Sequence, residues 1–231
     1  MLRQVAMDTW STPGMVAGFV QSAANSALTR FADLEHSRGA GPCMLDIGCG
    51  AARNALPLAR AGWEVFGIDR SWPMLEAAAR RARGEDLAGR LRVAQASMDR
   101  LPVRDRSMDF IVAHGIWNLA RSSDEFRRSV RDAARAAKPG AALFVFTFSR
   151  NTLPATAAPV QGEAFVFTQF SGEPQCFLTR GQLVEELAAA GFAQDPAIPL
   201  RELNRPAGRL QVPSGPVIFE GTFRFAPVRP F

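Results

Sequence analysis

The sequence predicts an α/β fold: a mostly parallel sheet with helices on both faces and an antiparallel strand near the C-terminus. Three observations predict it. Short apolar runs alternate with helical patterns from residue 43 to residue 148. The first run, Met44-Leu45-Asp46-Ile47, opens directly into a glycine turn, Gly48-Cys49-Gly50. Residues 217–225 alternate with period two, Val217, Phe219, Phe223 and Phe225 against Ile218, Glu220, Thr222 and Arg224.

The chain has 231 residues, enough for one domain with a sizeable core. The expected layout is a single domain over 1–231: a helical cap over 1–40, a binding core over 41–150, and a substrate-side insert with the closing strands over 151–231. In the cap, residues 16–34 read as mainly helical, with Phe19, Val20, Ala23 and Ala27 on one apolar face. Gly39, Gly41 and Pro42 end it.

Beyond the glycine turn, residues 51–61 favour helix, with Pro57 able to shift its start and Gly62 as its stop. The run Val65-Phe66-Gly67-Ile68-Asp69 is a second strand that ends in an acid. Residues 74–83 form the next helix after Pro73, 91–94 the third strand and 108–113 the fourth. Residues 124–138 are a helix capped by Ser122 or Ser123, and 142–148 the fifth strand. Beyond a loop rich in Thr, Ala and Pro, residues 163–170 suggest an inserted strand. Thr179 and Gln182 make a capping box before a helix over 183–190. Residues 192–200 are a candidate strand, and 204–215 a loop rich in Pro and Gly.

Asp46 and Asp69 flank the glycine turn and lie 23 residues apart, close to the ~20-residue spacing at which a second-strand acid receives ribose hydroxyls. A carboxylate accepts both hydrogen bonds of a vicinal diol. A dinucleotide turn requires a third glycine in G-x-G-x-x-G, and that position holds Arg53. Asp46 would also lie near a pyrophosphate, where a negative charge is unfavourable. An adenosine ligand with an amino group and a sulfonium tolerates Asp46 better.

Together these motifs resemble the class I S-adenosylmethionine-dependent methyltransferases. Leu45 to Arg53 resembles the first motif of that family, and Ile68-Asp69 its ribose-binding acid. Gln95-Ala96-Ser97-Met98-Asp99-Arg100-Leu101-Pro102 resembles the adenine-side segment. Ser107 to Val112 resembles the fourth strand, and Ala137-Lys138-Pro139-Gly140 with 142–148 the turn and fifth strand. The likeness spans roughly residues 40–150 in the expected order. It implies a Rossmann-like, seven-stranded, mostly parallel sheet, with S-adenosyl-L-methionine as cofactor and a small-molecule O, N or S nucleophile as acceptor. Asp46, Gly48, Cys49, Gly50, Asp69, Arg70, Ser97, Met98 and His114 are the residues it assigns to the cofactor. Ser97 stands where the family often has an acid, so the Met98 backbone takes a larger share of adenine recognition.

His114-Gly115-Ile116-Trp117-Asn118 closes the fourth strand, where ligands of open α/β sheets bind. His114 is the candidate catalytic residue, as general base or substrate-orienting donor; a structural histidine is the plainer alternative. Trp10, Trp117 and Asn118 are the candidate acceptor contacts, each weighed against ordinary packing. Phe165, Phe167, Phe170 and Phe177 either line an apolar acceptor pocket or pack a sheet edge. The fourth-strand end lacks the [Asn/Asp/Ser]-Pro-Pro-aromatic pattern of base and glutamine amino-methyltransferases, which disfavours nucleic-acid methylation.

The net charge of +5 comes from dispersed arginines, with Lys138 the sole lysine, and reads as solvated surface rather than a nucleic-acid face. Cys43, Cys49 and Cys176 have no metal-type spacing, and no metal is expected. No apolar run reaches the length of a membrane span, and Met1 to Gln4 lack a signal-peptide core. A cytoplasmic monomer or homodimer is therefore expected. Two other readings compete: a catalytically silent cofactor-binding scaffold and a nicotinamide-dependent oxidoreductase, the latter weakened by Arg53.

Overall fold

The computed structural model describes residues 9–205 and 215–226. Met1 to Gln4, and most of the loop expected over 204–215, lie outside them. The chain divides into two units, residues 1–97 and 98–231.

In the first unit, strands β1 (Cys43–Ile47), β2 (Glu64–Asp69) and β3 (Leu91–Gln95) pair in parallel, in the order β3-β2-β1. Parallel strands need crossovers, and helices α3 (Ala55–Arg60) and α4 (Trp72–Gly84) supply them. Helix α3 begins four residues later than its pattern suggests. Residues 51–54 form turns, and Pro57 then falls at the third helical position, where no amide is needed. The N-terminal stretch is two helices, not one. Helix α1 (Pro13–Gln21) is capped by Thr12 and α2 (Ser26–Ser37) by Asn25, whose Oδ1 accepts from the Leu28 amide at 2.9 Å. Helix α2 buries Ala27, Leu28, Phe31, Ala32 and Glu35, one face of a 3.6-residue period.

In the second unit, β4 (Met108–His114) pairs in parallel with β5 (Ala137–Phe148). β10 (Ile218–Phe225) runs antiparallel to β5 and also pairs with β8 (Phe192–Gln194) and β9 (Arg201–Leu203). Helix α5 (Ser123–Ala136) joins β4 to β5, with Ser122 as its cap. The inserted strand is the short pair β6 (Val166–Phe167) and β7 (Gln175–Cys176), and helix α6 (Arg180–Ala189) starts with both halves of the capping box present. The strand expected over 192–200 stops at Gln194, because Pro196 and Pro199 cannot donate to a ladder. No helix among the described residues is long and apolar enough to cross a membrane.

Candidate cofactor site

β1 and β2 lie in register, Asp46 beside Gly67 and Ile47 beside Ile68. Their carboxyl ends therefore place the glycine turn and Asp69 side by side. The amides of Gly48 and Cys49 both donate to the Ile68 carbonyl, at 2.8 and 2.9 Å. The Gly50 amide donates to Asp69 Oδ2 at 2.9 Å, and the Ser71 amide to Asp69 Oδ1 at 2.8 Å. The carboxylate is thus oriented by two backbone donors, from the turn and from the start of α4.

The turn needs left-handed backbone at alternate positions: φ is +74° at Gly48, +52° at Gly50 and +62° at Ala52. Ala52 thus adopts a conformation that glycine reaches at no steric cost. Gly67 meets the turn from below; a Cβ there would lie 2.8 Å from Cys49 Sγ. Cys49 is buried, and burial holds its thiol well above the ordinary range, so it serves as a small apolar filler.

Asp46 is only 2% exposed, and its Oδ2 has no hydrogen-bond partner among the described residues. Burial pushes its carboxyl up to about 7; the Arg53 guanidinium pulls it down and Asp69 pushes it up again. Burial in turn lowers the pKa of Arg53. An orphaned buried carboxylate oxygen beside a guanidinium suits a ligand with an ammonium and a carboxylate on one carbon, as the methionine end of S-adenosylmethionine has. The residues present therefore fit that cofactor.

The N-terminal segment lies against this turn. Phe19 of α1 stands 3.3 Å from where a Cβ on Gly50 would be, and Met15, Val16, Phe19 and Val20 pack on Ala51, Met74 and Ala77. The Trp10 ring meets Phe19 edge-on at 6.0 Å, and Ser11 Oγ and Ser71 Oγ are 3.0 Å apart. Arg70 is exposed, and its carbonyl accepts from Gln95 Nε2 at 2.8 Å. Ser97 is half-buried at the end of this unit. Sequence reasoning missed Ala52 as the third left-handed position, Ser71 as the second donor to Asp69, and Asn54, whose Oδ1 accepts from the Asn25 amide at 3.0 Å. The only sequence signal was position: two residues beyond Gly50, two beyond Asp69.

In the second unit, Met98 is buried. His114 closes β4 opposite Phe146 of β5, its ring stacked on that phenyl at 4.2 Å and 12°. Gly115 follows with φ +71° and turns the chain into the 3-10 helix Trp117–Leu119. Trp117 is fully buried and packs edge-on against Phe126 at 6.1 Å. Asn118 is 2% exposed; its Oδ1 and Trp117 Nε1 have no hydrogen-bond partner among the described residues. Of the four insert phenylalanines, Phe165 packs into the core on Phe126 at 5.2 Å, Phe167 and Phe177 are buried, and Phe170 is exposed.

Comparison with known proteins agrees with this geometry. Residues 44–140 match the family described as "Methyltransferase domain". The demethylmenaquinone methyltransferase of Clavibacter sepedonicus is 28% identical over 170 residues, 67% of this chain and 66% of that protein. The ubiquinone biosynthesis O-methyltransferase of Caulobacter vibrioides is 32% identical over 126 residues, 54% of this chain and 48% of that protein. The chain spans about half to two thirds of the length of the curated relatives it matches. Among solved structures, an S-adenosylmethionine-dependent methyltransferase of Methanosarcina mazei superimposes with a TM-score of 0.65 at 22% identity, covering 89% of this chain and 99% of that one. A 1,6-didemethyltoxoflavin-N1-methyltransferase of Burkholderia thailandensis, with S-adenosylhomocysteine bound, gives 0.64 at 18%, covering 92% and 88%. At these identities the likeness to solved structures shows the Rossmann-like fold alone. The fold, the match over 44–140 and the relatives point the same way: residues 44–140 are similar to the methyltransferase-domain family, carried on a Rossmann-like fold.

Proposed function

We propose that the protein transfers a methyl group from S-adenosylmethionine to a small-molecule acceptor. The observation that carries this reading is the joint between Gly50 and Asp69, with the orphaned Asp46 oxygen behind it. In this reading Asp46 takes the ammonium of the cofactor and Asp69 its ribose hydroxyls. Gly48, Cys49 and Gly50 allow close backbone approach, and Arg70, Ser97 and Met98 serve the adenine side. Of the acceptor candidates, His114 serves in the second unit and Trp10 in the first; Trp117 and Asn118 are buried and leave the acceptor to them. Most of the relatives' names support a small acceptor: they include quinone-pathway C- and O-methyltransferases and a toxoflavin N-methyltransferase, beside one ribosomal RNA methyltransferase. Carbon thus joins oxygen, nitrogen and sulfur as a candidate acceptor atom.

The bound cofactor supplies an activated methyl on a sulfonium, so alignment accounts for most of the acceleration asked of the protein. The chain's own tasks are to orient the acceptor and to remove a proton where the acceptor carries one.

The test is calorimetry with S-adenosylhomocysteine, followed by a tritiated-methyl transfer screen against metabolite pools. Binding with transfer to a small-molecule fraction is the expected outcome. Tight NAD binding with no S-adenosylhomocysteine binding would overturn the reading, and cofactor binding with no transfer to any pool would leave a silent scaffold.

A further inference from the structure

The second unit holds a row of aromatic rings that no cofactor role absorbs. Phe144, Phe146 and Phe148 leave β5 on one face, because side chains two residues apart share a face of a strand. His114 stands beside Phe146 through the β4–β5 pairing, and its ring lies nearly parallel to Phe146 and Phe144, at 4.2 and 6.5 Å. Burial falls along the row: Phe144 is fully buried, while His114, Phe146 and Phe148 are half-buried. Phe148 then meets Phe170 at 5.4 Å and Phe177 at 5.3 Å, and Phe170 is 46% exposed.

The rest of the insert holds this row in place. Phe177 and Phe167 are buried behind it with Leu153, and the Arg150 guanidinium lies 4.9 Å over Phe167. Arg150 also donates to the carbonyls of Pro154 and Ala157, at 3.0 and 2.8 Å, which fixes the loop that carries Leu153. Rings held part-exposed beside an imidazole leave apolar surface in water, an arrangement that a flat π-system would cover by offset stacking.

We propose that His114, Phe146, Phe148 and Phe170 form the acceptor subsite, and that the acceptor is a flat aromatic ring bearing an ionisable O–H or N–H. The proposal rests on the methyltransferase reading and names its substrate class. Acidity favours an aromatic over an aliphatic hydroxyl. A phenol titrates near ~10, about 3–4 units above imidazole, whereas an alkanol is about as weak an acid as water, at ~15.7. A histidine bridges the first gap far more readily than the second. The acceptor proton passes to the imidazole and then to water. The freed electron pair forms the bond to the methyl carbon, and the carbon–sulfur pair stays on sulfur.

The experiment is equilibrium dialysis of the full chain with 1-naphthol and with its saturated counterpart decahydro-1-naphthol, each with and without S-adenosylhomocysteine. The expected result is that 1-naphthol binds at least roughly tenfold tighter. Phe148→Leu and Phe170→Leu, which keep apolar bulk but remove the ring, each weaken it about threefold to tenfold, and Phe170→Tyr restores it. Equal binding of the two probes, or Leu variants that bind 1-naphthol as the parent does, overturns the subsite. Phe170 is exposed enough that its variants test stacking rather than folding. S-adenosylhomocysteine binding on the same samples separates the two claims: if it binds and 1-naphthol does not discriminate, the subsite falls and the methyltransferase stands. If it does not bind, the methyltransferase reading falls and the acceptor role with it, and the probe ratio decides only whether the row binds a flat aromatic ring.

Discussion

The Gly50 amide donates to Asp69 Oδ2, so the glycine turn and the second-strand acid form one hydrogen-bonded piece rather than two neighbouring motifs. Asp69 is therefore a tie between the ends of β1 and β2 as well as the carboxylate proposed for the ribose hydroxyls. Asp69→Ala is expected to weaken S-adenosylhomocysteine binding by roughly 1.5–3 kcal/mol and to destabilise the fold, since the Gly50 and Ser71 amides lose their acceptor. Asp69→Asn retains one acceptor oxygen and should recover part of the stability but little of the affinity. Calorimetry and thermal unfolding on the two variants read these effects separately; an alanine variant with parental affinity would remove Asp69 from the site.

A second prediction concerns pH. Asp46 is buried, and that burial pushes its carboxyl up to about 7. Below that value the group is neutral and offers no charge to an ammonium. Cofactor affinity should therefore fall as pH drops from 8 to 6, and binding at pH 7 should release protons. Calorimetry in buffers of different ionisation enthalpy measures that release, and heats independent of buffer would sink the assignment. The sign for stability is opposite. A carboxyl whose pKa is raised on folding contributes stability at low pH and loses it as pH rises through about 7. Asp46→Asn should thus stabilise the cofactor-free protein at pH 8 by about 1–2 kcal/mol while weakening cofactor binding.

The alternation of strands and helices was readable because the parallel strands leave short, mostly apolar runs, and the turn because Gly48 and Gly50 sit between two of them. What the sequence concealed was conformational. Ala52 sits in left-handed backbone although alanine carries no signal for it, and residues 51–54 turn where their propensities favour helix. Similarly, the four insert phenylalanines look alike in sequence. Only packing separates Phe165, which serves the core, from Phe170, which faces water.

Ala52 gives a direct test of that conformational point. Its φ of +62° disfavours any residue with a Cβ. Ala52→Gly should stabilise the protein by roughly 0.5–1 kcal/mol in thermal unfolding, provided the relief of strain exceeds the extra unfolded-state entropy. A loss of stability would show that the turn tolerates alanine without cost.

A steric pair beneath the turn gives a further prediction. Gly67→Ala would place a Cβ 2.8 Å from Cys49 Sγ, so one side must yield. The substitution should destabilise the fold by about 1–3 kcal/mol, as overpacking does. Removing the sulfur with Cys49→Ala should recover part of that loss. A double-mutant cycle in urea checks it, and strictly additive losses would mean that the two residues do not compete for the same space.

The last prediction separates the roles open to His114. It closes β4 with its ring laid on Phe146, so the same side chain supplies both a stacking face and a basic nitrogen. Glutamine keeps a hydrogen-bonding end but has neither the ring nor a nitrogen that takes up a proton. If the imidazole takes the acceptor proton, His114→Gln should lower kcat for a phenolic acceptor by about 10²-fold or more and remove the acid limb of the pH–rate profile. KM would rise only by the modest factor of one lost stacking face. If the ring merely orients the acceptor, KM should rise more than kcat falls, and the acid limb should persist in the variant. A profile with its acid limb intact at saturating cofactor would therefore assign His114 to positioning.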